Sequence, residues 1–152
     1  MQIIQPAHNK KVVKVKSWRS IKKDAEEMAN MIKTGFKGYW KEAQALSHAQ
    51  VSNDPQDFFV LNEKWRKTFF SCYVINPRIL KKDFEIEHKE ACMSFPFRKE
   101  VFVRRSRYVW LFYWIPCCGF CVPIIKKFKD MPAYIIQHER GHSNGKNIYN
   151  LK

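Results

Sequence analysis

Residues 108–125 contain no charged side chain, although Arg104, Arg105 and Arg107 stand immediately before them and Lys126 and Lys127 immediately after. A run of 18 such residues is either a short membrane-spanning helix or the densest part of a core. Pro116 and Pro123 would break a helix, Gly119 lies between them, and aromatic and β-branched residues dominate the rest. The pattern predicts a hairpin of two buried strands turning around Cys117 to Gly119, with no membrane attachment.

The remainder of the chain supplies elements for that hairpin to pack against. Ser17 or Ser20 can cap a helix over residues 17–40, in which Ile21, Ala25, Met28, Ala29, Ile32 and Phe36 share one face. Asn53, Asp54 and Pro55 make a turn before a strand at 58–61, and a second strand at 68–75 is expected to stop at Asn76-Pro77. After the hairpin, Asp130 and Pro132 start a helix that Asn144-Gly145 ends. This order predicts an α+β fold, with antiparallel or mixed sheets packed around a central late helix. A length of 152 residues suits one domain, so residues 1–152 are expected to form a single unit.

Composition narrows the class. With 45% hydrophobic residues the chain is no disordered polyelectrolyte, yet its 28 Lys and Arg against 14 Asp and Glu give a net charge of +14. That excess suits either an anionic partner such as RNA or a solvated lysine-rich surface. Five cysteines form an odd set with no secretory signal before them, so a reducing cytoplasm is expected. The single C-x-x-C pair, Cys118 and Cys121, lacks the second pair of a structural zinc site and is expected to be incidental to the hairpin turn.

The late helix carries the chemistry. His138 and His142 are four residues apart, so both imidazoles leave one helix face and can chelate a single cation, with Glu139 close enough to act on an attacking water. A catalytic metal needs a third protein ligand. The residues alone leave Asp83, Glu85, Glu90 and Cys92 open for that place, and a thiolate would make the softest set.

Three segments occur in a telling order: Ala-Gln-Ala-Leu-Ser-His-Ala-Gln at 43–50, Glu-Ala-Cys-Met-Ser at 90–94 and Gln-His-Glu-Arg-Gly-His at 137–142. Together they resemble the motifs of peptide deformylases, which are a Gly-rich stretch ending in Gln, then E-G-C-L-S, then Q-H-E-x-D-H. Ala43 and Ala45 replace glycines, His48 an alanine, Ala91 a glycine, Met93 a leucine and Gly141 an aspartate. The resemblance implies a metal-dependent amidase that removes the formyl group from N-formyl-methionine of nascent polypeptides. It implies Cys92, His138 and His142 as ligands of one divalent metal, Fe²⁺ natively with Zn²⁺ or Ni²⁺ as substitutes. Glu139 would be the general base, and Gln50 with the backbone N–H of Met93 would stabilise the oxyanion. Glu90 would be held by Arg104, and Ile135 would line the methionine pocket. A monomer in the cytoplasm, docked near ribosomal RNA through its basic surface, completes the expectation. The rival readings are a zinc-dependent peptidase with a carboxylate third ligand and a catalytically silenced deformylase-like binding protein.

Overall fold

The computed structural model describes residues 1–4, 11–35, 43–92, 94–95 and 98–149. The Ser17 hydroxyl accepts the Ser20 N–H at 3.3 Å and so starts helix α1, Trp18–Thr34. Gly35 ends it at φ 63°, a left-handed conformation that glycine adopts without a Cβ penalty. The helix therefore stops short of the expected residue 40, and Phe36 lies outside the described residues. Ile21, Ala25, Met28 and Ile32 are buried as the periodicity predicts, while Ala29 is half-buried beside them.

Five strands follow among the described residues: β1 (Ala45–Ser47), β2 (Phe58–Leu61), β3 (Tyr73–Glu90), β4 (Val101–Cys117) and β5 (Phe120–Lys129). They form one antiparallel sheet in chain order. Parallel pairing among the described residues is limited to an isolated bridge between Val13 and Gln56. Between β2 and β3 lies the short helix α2, Arg66–Phe69, which contains the Thr68 expected in a strand.

Strand β3 does not stop at Asn76-Pro77. Asn76 takes φ 48° and the register shifts between Ile75 and Arg78, so the dipeptide makes an irregularity inside a continuing strand. The Asn76 side chain supports the turn by donating to Val15 O and accepting from Val15 N–H, at 2.9 and 2.8 Å.

The charge-free run forms a hairpin, turning at Cys118 and Gly119 with φ 53° and 85°. Two consecutive positive φ values match the twist of the flanking strands. Its strands are buried on one face only. Val109, Leu111, Tyr113 and Ile115 are buried, while Tyr108, Trp110, Phe112 and Trp114 between them are half-buried. Among the described residues, no helix is long and apolar enough to cross a membrane.

Helix α3, Met131–Ser143, lies on the inner face of the sheet, where Ala133, Ile135 and Ile136 pack with Leu111, Tyr113 and Phe128. Helix α1 covers the other face at β2, against Phe58 and Val60. Strand β2 is buried throughout because helices flank it on both sides.

Candidate active site

Helix α3 is clamped to β4 before it presents any catalytic group. Gln137 accepts the Ser106 N–H at 2.9 Å and donates to Ser106 O at 2.7 Å, which fixes the helix axially one residue before His138. Pro132 in the first turn lacks an N–H that a helix start could not have paired in any case.

His138, Glu139 and His142 leave α3 toward the loop that follows β3, where Cys92 is fully buried. Cys92 Sγ lies 3.3 Å from His142 Nε2, which lies 3.2 Å from His138 Nε2. The three donor atoms are all within 4.8 Å of one another. Bond lengths of about 2.0–2.3 Å to a tetrahedral cation would set such donors roughly 3.4–3.7 Å apart, so the cluster needs little adjustment to fit one. Its charge fits as well. Burial keeps His142 neutral, helped by the positive charges of His138 and Arg105. At His138 burial opposes a charged ring, but hydrogen bonds to Cys92 and Glu90 and the charge of Glu139 outweigh it and raise the pKa. The partners that favour a proton on His138 would favour a cation there as well, once Nε2 has given up that proton to act as a ligand.

Glu90 does not join the donor cluster. Its carboxylate accepts Arg105 Nε at 2.7 Å and Nη2 at 2.9 Å, and it lies 2.8 Å from His138 Nδ1. Burial works against this carboxylate's charge, yet the hydrogen bonds from His138 and Arg105 hold its pKa at about 2. By engaging Nδ1, Glu90 leaves His138 Nε2 facing Cys92 and His142. The arginine is Arg105 and not the expected Arg104. Adjacent strand residues face opposite sides of a sheet, and Arg104 points out, 79% exposed and 3.8 Å from Glu85.

Glu139 is buried, and among the described residues its Oε2 has no hydrogen-bond partner. Burial, with the neighbouring charge of Glu90, raises its pKa to about 7 against opposing contributions from His138, Ser47 and Arg105. A carboxylate poised there can accept and return a proton near neutral pH.

The family follows from one comparison: residues 2–151 match the model of the polypeptide deformylase family. The chain is a member of that family. Its activity is that of a metal-dependent amidase removing the N-formyl group from nascent polypeptides. A peptide deformylase of Buchnera aphidicola subsp. Acyrthosiphon pisum is 32% identical over 129 residues, which cover 84% of this chain and 69% of that one. The solved deformylase of the Vibrio parahaemolyticus bacteriophage VP16T, in complex with actinonin, superposes with a TM-score of 0.78 at 25% identity, covering 97% of this chain and 100% of that one. The Thermotoga maritima deformylase gives a TM-score of 0.74 at 28% identity, covering 95% and 90% of the two chains.

A cleft of about 220 Å³ opens beside this candidate cluster, with Gln50, Ile135, His138 and Glu139 on its walls. Gln50 ends a single turn of 3-10 helix, His48–Gln50. Its Oε1 accepts the Ser47 N–H and its Nε2 donates to Ser94 Oγ, each at 2.9 Å, which leaves one amide hydrogen uncommitted in these contacts. Met93 lies outside the described residues. His48 is turned away from the cleft. Its ring stacks on Phe58 at 4.6 Å, Nδ1 accepts the Gln56 N–H at 2.9 Å, and Nε2 lies 3.3 Å from Asp24 Oδ2.

Besides Arg105, sequence reasoning missed three contributors to the candidate site. Ser94, inside the second motif, holds the Gln50 amide. Tyr134, one helical turn before His138, lines the cleft and packs on His88 at 4.2 Å. The i, i+4 spacing from Tyr134 to His138 was a usable signal, whereas His88 on a long alternating strand gave none.

Proposed function

We propose that Cys92, His138 and His142 hold one divalent metal ion, and that residues 1–152 act as one catalytic domain around it. Such an ion, Fe²⁺ natively with Zn²⁺ or Ni²⁺ as substitutes, supplies Lewis acidity and makes water a better nucleophile at neutral pH. Glu139 takes the proton of the attacking water and returns it to the leaving amine, so the formyl C–N bond breaks to formate and a free N-terminus. The Gln50 amide hydrogen not used in the Ser94 contact would serve as one oxyanion donor, and the backbone N–H of Met93, next to Cys92, is assigned the second. Ile135 receives the methionine side chain on the apolar wall of the cleft, beside Tyr134 and Met131.

The observation carrying this reading is the meeting of three donor atoms beside a buried carboxylate whose Oε2 has no partner among the described residues. A peptidase with a carboxylate third ligand is disfavoured. Glu90 is engaged by Arg105 and His138, and Asp83 and Glu85 are exposed. The silenced-protein reading is disfavoured too, because Gln50 and Glu139 line the same cleft as Ala43 and Ala45, and the three donor atoms still converge. Anaerobic metal analysis with formate release from formyl-Met-Ala-Ser, on wild type and Cys92→Ser, tests the ligand set. Loss of metal and formate release together supports it, and full retention of both in the variant overturns it.

The net charge of +14 favours docking near ribosomal RNA, and co-sedimentation with ribosomes is expected to weaken as salt rises. All five cysteines are free, which suits the reducing cytoplasm, where the chain is taken to work as a monomer.

A further inference from the structure

A second constellation stands on the face of β4 turned away from α3. Tyr108, Trp110 and Phe112 alternate with buried Val109, Leu111 and Tyr113, so their half-buried rings form one row on the outer face. Helix α1 covers that face at β2, and its apolar cluster reaches β4 only at Trp114. The three rings belong to none of the buried clusters. Lysines flank them. In the sheet register Trp110 lies between Lys81 and Lys127, and Tyr108 lies opposite Lys129. Lys127 Nζ sits 4.6 Å from the Tyr108 ring centre and 4.7 Å from that of Trp110, and Lys81 Nζ sits 4.9 Å from Trp110. Asp83, opposite Tyr108, is the one carboxylate in these rows.

We propose that this face binds single-stranded RNA, with bases stacking on the three rings and the lysines meeting phosphates. Rings interleaved with cations on an open sheet are what unpaired bases and their backbone need together. A lysine ammonium already placed over each of two rings marks an electrostatic surface, which argues against an apolar wedge for lipid. Neighbouring rings lie about 6.8 Å apart along the strand. That is about twice the 3.4 Å rise per nucleotide of a stacked strand, so successive rings suit a strand whose bases are splayed. None of these residues lines the deformylase cleft, so the proposal does not rest on the catalytic reading.

The test is fluorescence anisotropy of the full chain with labelled oligouridine, its duplex with oligoadenine, and vesicles of phosphatidylcholine and phosphatidylserine, at rising salt. The expected result is tighter binding to the single strand than to the duplex. Trp110→Ala should weaken it by about tenfold without changing its salt dependence, and Lys127→Gln should lower the salt slope by roughly one. Formate release should be unchanged in both variants, which also shows that they fold. Equal binding by wild type and Trp110→Ala, no preference over duplex, or capture by vesicles in place of RNA would each overturn the proposal.

Discussion

Arg104 and Arg105 are neighbours on one strand, and they live in different solvents. Arg105 is 8% exposed and makes a two-pronged ion pair with Glu90, itself a partner of His138. Arg104 is 79% exposed and reaches Glu85 only at 3.8 Å. The alternation of a β-strand is enough to give identical side chains a structural duty on one face and almost none on the other. The charged network behind the candidate metal ligands is therefore a buried one, whose energetics depend on every partner staying in place.

Breaking the buried side should show the largest effect. Arg105→Ala leaves the buried Glu90 carboxylate with only His138 of its two charged partners, and chemical denaturation is expected to show a loss of about 3–5 kcal/mol. Acid titration tests the same pair. The folded-state pKa of Glu90 is depressed to about 2, so its contribution is fully present above the ordinary carboxylate range and is lost as pH falls toward 2. In Arg105→Ala that acid-dependent loss should shrink, because less of the stabilisation remains to be titrated.

Gly141 sharpens the comparison from the helix side. It lies between the two histidines of α3, and a Cβ built there meets only Lys146 O at an ordinary contact of 3.7 Å. Gly141→Ala should raise stability by about 0.5–1 kcal/mol, seen as a higher thermal midpoint. Arg104→Ala is expected to give the smallest change, within about 0.5 kcal/mol, and no change in formate release.

The sequence made some of this legible and hid the rest. Two histidines at helical spacing can be seen in a linear string, because chelation from one helix face depends on local geometry alone. Strand β2 was readable to the residue for a similar reason, as a short apolar run behind an Asn-Asp-Pro turn. The partner of Glu90 was not readable, since choosing between adjacent arginines needs the face of a strand fixed by distant pairing. The length of β3 was hidden too. Asn76-Pro77 has the composition of a stop, and what carries the strand through it is a pair of hydrogen bonds to Val15, 61 residues away in sequence. Helix α1 was overextended because Phe36 continues the apolar period, whereas the chain stops the helix at Gly35.

The most direct test of the central claim is metal content and formate release measured together on wild type and Glu139→Gln. Wild type should carry one divalent ion per chain and release formate from formyl-Met-Ala-Ser. The variant should keep the ion, because Glu139 is not among the three converging donors, and lose about 10²–10⁴-fold in rate. A variant as active as wild type, or a wild-type chain that binds no metal, would contradict the account.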